Sequence, residues 1–500
     1  MRVVVIGSGI VGAGAAYHLS RRGAAVTVVD GGYQGDATQA GAGIVCPWVD
    51  HPEDDDWYRL TREGARRYPG LVEELGEDIG YAKVGALLVA EDPVDLEPVR
   101  SLLRRRRPGA PEMGEITDVS TPSELFPPLS DTLSAILVPG AARVDGRAVR
   151  DALLRAAVSM GAEVRTGIAT LTPDGQVLLH CPENDSRPGT QDLAPEATAG
   201  PGEIPGAAGD GDTAHPATPQ DRTGGRNAGQ DHLDGPDTDR NQGGGPDTGR
   251  EPGAGREQGR GQDGAQDGGG QGGGQGGGQG ASWRQAAPSA PATAAPGTTA
   301  SATAPPGTAT SATGAPGTTA ATAGEAVLLD ADAVIVAAGA WAGEVCRPLG
   351  VELPVFPRRG QILHATLEGV DTAWWPIILP RMGPYLLGFP ESRVVIGATV
   401  EDVGFAPRVT MGGLDEVIRA GLRVAPGLFN ATVTETRVGL RPVYAPGPAL
   451  IGPLTGRVVV ATGLSAYGLT AGPFTGQIAA ALALGETPPI DITPYAPNTR

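Results

Sequence analysis

Near its start the chain reads Val3-Val4-Val5-Ile6-Gly7-Ser8-Gly9-Ile10-Val11-Gly12, in which four apolar residues precede glycines spaced G-x-G-x-x-G. The uninterrupted apolar residues predict a central parallel strand, because such strands are buried on both faces. A helical pattern follows from Ile10 to Arg22, and a second apolar strand, Val26–Val29, ends at Asp30. Strand, glycines, helix, second strand and terminal acid in this order predict a Rossmann-type dinucleotide site.

Each part of this unit has a physical task in a dinucleotide site. Gly7 makes the tight turn, Gly9 lets the backbone approach a pyrophosphate, and Gly12 lets the helix pack closely on the strand. The positive end of the helix dipole favours the phosphates. Asp30 can accept hydrogen bonds from the adenosine ribose, and an acid there argues against the 2′-phosphate of NADP. The unit alone does not separate FAD from NAD.

The segment from Pro182 to Gly324 has a different composition from the rest of the chain. It is dominated by Gly, Pro, Gln, Asp, Ala and Thr, and it includes GGGQGGGQGGGQG at Gly268–Gly280. Such a segment cannot bury enough apolar surface to offset its chain entropy, so it is predicted to be a disordered insert. The remaining pieces, Met1–Cys181 and Glu325–Arg500, are then expected to form one unit.

The two pieces predict an α/β protein in which a Rossmann-type cofactor domain is interleaved with an antiparallel-sheet substrate domain. Ala333–Ala337 and Val458–Thr462 are typical of strands that return to the parallel sheet. Antiparallel strands are predicted at Ala86–Ala90, Gln361–Ala365, Tyr385–Phe389 and Arg393–Ala398. The cofactor domain is expected at about 1–50, 145–181, 325–350 and 440–490, and the substrate domain at about 51–144 and 351–439.

Composition restricts the partners. The formal net charge is −19, which disfavours nucleic acid. The three cysteines have no C-x-x-C spacing and the six histidines no metal-ligand pattern, so no metal is expected. No apolar run approaches the roughly 20 residues of a membrane-spanning helix. A cytoplasmic protein is expected, with peripheral attachment to a membrane left open.

Beyond the fingerprint, the chain resembles the D-amino acid oxidase superfamily of FAD-dependent oxidoreductases, and within it glycine oxidase and D-amino acid dehydrogenase. The resemblance covers nearly the whole chain outside the insert. Four further regions carry it: Ala37–Ile44, Asp332–Trp341 with Pro357–Gln361 after it, Gly439–Pro442 ahead of Pro448–Gly452, and Thr462–Pro473 leading into a helix predicted at Phe474–Leu484.

The resemblance implies FAD as the cofactor. No Cys or His stands where a covalent flavin link is usual in the family, so non-covalent binding is expected. The residues expected to contact FAD are Gly7, Gly9, Ile10, Val11, Gly12, Asp30, Thr38, Gly41, Ala42, Gly43, Ile44, Ile168, Ala338, Gly339, Trp341, Gly468, Leu469 and Thr470.

The resemblance also implies a small amino acid as substrate, oxidised to the imino acid by hydride transfer to the flavin. Arg441 matches the family's arginine that grips the substrate carboxylate, a task suited to a guanidinium fork. Tyr385, on a predicted strand of the substrate sheet, could reach the same carboxylate. Oxygen or a quinone is expected as electron acceptor. Two alternatives stay open: a nicotinamide-dependent dehydrogenase and an FAD-binding protein without turnover.

Overall fold

The computed structural model describes residues 1–181, 326–381 and 383–497. The insert predicted at 182–324 lies outside the described residues. The described strands are β1 (Arg2–Ile6), β2 (Ala25–Asp30), β3 (Ile44–Val45), β4 (Ala86–Ala90), β5 (Thr117–Val119), β6 (Ser134–Val138), β7 (Ala142–Arg143), β8 (Glu163–Thr166), β9 (Ile168–Leu171), β10 (Val177–His180), β11 (Ala326–Leu329), β12 (Ala333–Val336), β13 (Val355–Thr366), β14 (Ile377–Pro380), β15 (Tyr385–Phe389), β16 (Arg393–Gly397), β17 (Thr432–Tyr444), β18 (Leu450–Pro453) and β19 (Val458–Thr462). The described α-helices are α1 (Ile10–Arg21), α2 (Ala37–Ala40), α3 (Asp55–Leu75), α4 (Glu97–Arg106), α5 (Gly146–Ser159), α6 (Ala342–Cys346), α7 (Met411–Val424) and α8 (Gly468–Ala483).

The N-terminal strand lies inside a six-stranded sheet of order β18-β19-β12-β1-β2-β8. All neighbours are parallel except β18, which pairs antiparallel with β19 at the edge. Val3 and Val5 face a core shared with helices α1, α5 and α8, whereas Val4 and Ile6 face a second core. Burial on both faces explains why the part of this strand from Val3 to Ile6 is apolar without interruption.

A small three-stranded sheet, β11-β10-β9, contributes to the second core through Leu171 and Val177. Its strands β10 and β11 are antiparallel, with His180 directly opposite Ala326. The chain therefore leaves the described part at 181 and returns at 326 on neighbouring strands.

The other large sheet has eight strands in the order β17-β13-β16-β15-β14-β4-β6-β5. Its pairs are antiparallel, as predicted, with one difference: β14 runs parallel to β4. These two strands come from distant parts of the chain, so no hairpin turn fixes their direction. The predicted α/β class, with a Rossmann-type sheet joined to a largely antiparallel one, is confirmed. The approximate domain bounds stay a prediction.

Helix α8 begins at Gly468, six residues before the predicted start at Phe474, and so contains Pro473. A proline cannot donate the helical hydrogen bond to the residue four positions earlier, here Leu469. The hydroxyl of Tyr68 on α3 donates to that Leu469 carbonyl instead. This distant partner satisfies the carbonyl that the proline leaves free, and the helix can start earlier.

Helices α1 and α8 pack at very short range. A Cβ on Gly476 would lie 2.5 Å from the Ala15 backbone nitrogen, which no side chain tolerates. This crossing holds the start of α8 beside the glycine-rich turn. Within the described ranges, no helix combines the length and apolar character needed to cross a bilayer.

Candidate cofactor and substrate site

A cavity of about 450 Å³ runs from the glycine-rich turn to strand β17. Its lining includes both predicted substrate residues, Arg441 and Tyr385. Of the predicted cofactor residues, it includes Gly7, Gly9, Ile10, Val11, Asp30, Thr38, Gly41, Ala42, Gly43, Ile44, Ile168, Ala338, Gly339, Trp341, Gly468 and Leu469. One continuous cavity thus brings together residues from both pieces of the chain.

Two predicted cofactor residues, Gly12 and Thr470, do not line the cavity. A Cβ on Gly12 would collide with the carbonyl oxygen of Gly7, so glycine at position 12 permits close packing of α1 on the turn. The Thr470 hydroxyl donates to the Ile44 carbonyl at 2.9 Å and ties α8 to the lining loop. Both residues support the lining from behind.

The glycine-rich turn is fixed by its neighbours. Gly7 has φ +100°, a left-handed conformation that favours glycine, and its N–H donates to the Val29 carbonyl at 2.8 Å. One oxygen of Asp30 accepts from the Ser8 N–H at 2.8 Å and from the Ser8 hydroxyl at 2.5 Å. The other accepts from the Gly32 N–H at 2.8 Å.

These bonds keep Asp30 charged. Burial alone would raise the pKa of this carboxyl, but hydrogen bonds from Ser8 and Gly32, together with the charge of Arg150, lower it below its ordinary value. An ionised carboxylate at the end of β2 is the acceptor that a ribose hydroxyl needs.

The start of helix α1 is tied to the loop that follows β2. The Thr38 hydroxyl accepts a hydrogen bond from the Ile10 N–H at 3.0 Å. Asp36 in turn accepts from the Thr38 N–H at 2.8 Å and caps α2. A Cβ on Gly9 would lie 3.2 Å from the Thr38 hydroxyl oxygen. Glycine at position 9 therefore makes room for this threonine as well as for a ligand.

The small residues after α2 let the loop pass between two elements. Gly43 has φ +93°, and a Cβ there would collide with the Val144 carbonyl oxygen. A Cβ on Gly41 would lie 2.6 Å from the Leu469 Cδ1 atom of α8. The loop is thus held against α8 along one wall of the cavity.

The guanidinium of Arg441 reaches the cavity from β17. Its Nη1 donates to the carbonyl oxygens of Thr399, at 3.1 Å, and Arg359, at 3.3 Å. Arg441 forms no ion pair with any Asp or Glu in the described part of the chain. Burial lowers its pKa from the ordinary value, an effect that the Tyr385 hydroxyl partly offsets. An arginine so placed can receive a carboxylate.

Tyr385 lies close to that guanidinium. It stands opposite Gly397 on β16, and a Cβ on Gly397 would lie 2.9 Å from the Tyr385 hydroxyl oxygen. Burial raises the pKa of Tyr385, while Arg441 acts in the opposite direction. The hydroxyl therefore stays protonated and can donate a hydrogen bond.

A polar network lies behind Arg441. Glu401 forms an ion pair with Arg359 and accepts from the Gln361 side-chain amide at 2.8 Å and the Thr399 hydroxyl at 2.7 Å. The Thr399 hydroxyl also accepts from the Gln361 N–H at 2.9 Å. This network fixes the segment that contains Thr399, whose carbonyl oxygen accepts the hydrogen bond from Arg441.

The comparisons with known proteins identify the family of this chain. A family described as FAD dependent oxidoreductase matches residues 2–191 and 282–482. The chain belongs to this family. The sequence resemblance predicted this family. Membership in it favours FAD over the nicotinamide alternative as the cofactor of this FAD-dependent oxidoreductase.

Two relatives of the oxidoreductase match over nearly their full length. The uncharacterized oxidoreductase YurR of Bacillus subtilis (strain 168) is 32% identical over 508 residues, 99% of this chain and 98% of that protein. The iminodiacetate oxidase from Chelativorans sp. BNC1 is 32% identical to this chain in sequence. Its crystal structure matches with a TM-score of 0.69 over 99% of both chains.

Glycine oxidases are also similar. That of Pseudomonas putida is 33% identical over 175 residues, 35% of this chain and 47% of that protein. The glycine oxidase structure from Geobacillus kaustophilus has a TM-score of 0.62 at 18% identity, a likeness of fold.

Several lining residues of the oxidoreductase escaped the sequence analysis. Arg150 on α5 lines the cavity, as do Tyr33 and Gly360. No local pattern marks Arg150, which lies in an amphipathic helix 142 residues after Ser8, the residue it contacts. Gly360 stood within the quoted run Pro357–Gln361, but its proximity to Arg441 depends on the register of two strands.

Proposed function

We propose that this FAD-dependent oxidoreductase holds FAD non-covalently in the cavity and oxidises the C–N bond of a small amino acid. The observation that carries the proposal is Arg441, a cavity-lining guanidinium without a carboxylate partner in the described ranges. A substrate carboxylate would supply that partner, and the two-pronged contact would fix its orientation.

The lining fits the cofactor. The turn at Gly7, the start of α1 and the charged Asp30 together suit a dinucleotide. Among the described lining residues there is no cysteine or histidine, the side chains expected for a covalent flavin link. This composition supports the non-covalent form.

The protein's own groups would bind and orient the substrate. Arg441 would receive the carboxylate, and the protonated hydroxyl of Tyr385 would donate to it. FAD supplies the redox chemistry when bound, by accepting a hydride from the α-carbon. The substrate amine loses a proton as the C–N bond becomes double, and water then hydrolyses the imino acid to an oxo acid and either ammonia or, from an N-substituted substrate, an amine. The cavity's task is to hold that C–H bond in place.

The names of similar proteins suggest which substrates to test. Glycine oxidases and an iminodiacetate oxidase are among them. Glycine, N-methylglycine, D-alanine and iminodiacetate all carry an amine beside a carboxylate. We propose oxygen or a quinone as the acceptor, to be separated by the rate at which each restores the absorbance of bleached flavin.

The test is anaerobic bleaching of the bound flavin, followed by stopped flow with each of these four compounds. Arg441→Ala should stay yellow, but the substrate should reduce its flavin on the order of a hundredfold more slowly, because the substrate is bound more weakly and is less well aligned. Arg441→Lys should recover only part of the rate, because an ammonium cannot form the two-pronged contact. The matched control is Arg419→Ala, whose side chain is 79% exposed on α7.

Two outcomes would contradict the proposal. A colourless protein that binds NAD would exclude the flavin enzyme. Equal rates and half-saturation for wild type and Arg441→Ala would show that Arg441 does not bind the carboxylate. Amines without a carboxylate serve as an internal comparison, since their slow reduction should not change in Arg441→Ala.

A further inference from the structure

Arg150 projects from α5 onto the glycine-rich turn. Its Nε donates to the Ser8 carbonyl at 2.9 Å and its Nη2 to the Ser8 hydroxyl at 2.7 Å. Its Nη1 donates to Asp151 at 2.8 Å. The side chain is 23% exposed and lines the cavity. A cation is therefore fixed where the dinucleotide unit turns into α1.

This end of the cavity is otherwise acidic. Asp30 and Asp36 both line it, and Arg150 acts on both carboxyls by lowering their pKa values, although burial leaves that of Asp36 raised. Among the described lining residues, the other cationic side chain is Arg441, which is held by β13 and the segment after β16. A diphosphate group entering here would add negative charge beside two acids.

We propose that Arg150 is the cation that holds the diphosphate of the adenosine diphosphate part of the cofactor. This inference rests on the proposed FAD site. The Arg150 guanidinium offsets the charge of Asp30, and its hydrogen bonds to Ser8 keep it at the turn. The site therefore favours a diphosphate ligand over one without phosphate. The backbone amides of α1 and Arg150 then act on the same group.

The experiment uses the apoprotein and three ligands: FAD, ADP and adenosine, which lacks both phosphates of ADP. Arg150→Gln should weaken FAD and ADP binding about tenfold or more, while adenosine binding changes little. Arg150→Lys should recover part of the affinity. The control is Arg155→Gln on the same helix, whose arginine pairs with Glu77 at the surface and should leave all three affinities unchanged.

A purely structural role would give a different result. If Arg150 only braces Ser8, then Arg150→Gln lowers the melting temperature of the apoprotein and weakens adenosine as much as ADP, and the inference is wrong. Unchanged ADP affinity in Arg150→Gln also overturns it. If wild type binds neither FAD nor ADP, the proposed function itself fails, which is a separate outcome.

Discussion

The guanidinium of Arg441 lies directly against Gly360. A Cβ built on Gly360 would come within 2.5 Å of the Arg441 Nη1 and 2.6 Å of its Cζ. Gly360 belongs to β13 and Arg441 to the neighbouring β17, so the approach follows from their register. The absent side chain at position 360 leaves the space that the guanidinium occupies.

Gly360→Ala should therefore displace the Arg441 side chain. We expect the variant to keep its flavin, because Gly360 lies on β13 and not in the glycine-rich turn, while flavin reduction by the amino acid slows at least about tenfold. Stopped-flow bleaching against substrate concentration measures this. Gly412→Ala is the control, since nothing lies within 4 Å of a Cβ there. If the flavin of Gly360→Ala is reduced at the wild-type rate, the Arg441 guanidinium has another productive position and the prediction is wrong.

A second prediction concerns Glu401, which accepts hydrogen bonds from three side chains behind Arg441: Arg359, Gln361 and Thr399. Burial alone would raise the pKa of this carboxyl, but these bonds and the charge of Arg359 lower it to about 2. A carboxyl whose pKa is lower in the folded than in the unfolded state stabilises the folded protein at any pH above its unfolded-state pKa. This stabilisation is lost as the pH falls through its folded-state pKa.

The melting temperature of Glu401→Gln should accordingly lie below that of wild type at neutral pH. The gap should close as the pH falls from about 4.5 towards 2, where wild type also becomes protonated. Asp415→Asn is the control, because its exposed pair with Arg419 should contribute little at any pH. A gap that persists unchanged at low pH would mean that the charge of Glu401 contributes nothing.

A third prediction concerns Gly9. A Cβ there would lie 3.2 Å from the Thr38 hydroxyl oxygen, so the larger Gly9→Val side chain must displace Thr38 or occupy the cavity. Either result removes FAD, and the flavin-to-protein absorbance ratio should fall to about a tenth or less. Gly456→Val, at a turn with open space, should keep full flavin content. Full flavin in Gly9→Val would place the binding site elsewhere.

The sequence was informative where the signal is local. The run Val3–Gly12 carries a strand, a turn and a helix start in consecutive residues, and the sheet forms around it as expected. Arg441 could be named from the resemblance and Tyr385 from its place on a predicted strand, and both line one cavity; their roles stay predictions.

Features that depend on distant partners could not be predicted. The early start of α8 needs the Tyr68 hydroxyl to satisfy Leu469, and these residues are 401 positions apart. Pro473 by itself indicated a helix beginning rather than a helix interior. The contact of Arg150 with Ser8 likewise arises from packing of α5 beside α1, which periodicity does not reveal.

The last prediction is that the oxidoreductase does not need residues 182–324. Their composition offers almost no aromatic or branched apolar side chains for a core. The flanking strands β10 and β11 pair directly, His180 opposite Ala326, so a short glycine linker can join them as a hairpin. Replacing 182–324 by such a linker should leave flavin content, melting temperature and turnover close to wild type. The control deletion, 182–329, also removes β11 and its buried Leu329, so it should lower the melting temperature. If the replacement of 182–324 by itself lowers the flavin content or the melting temperature, the segment contributes to the folded body and the prediction is wrong.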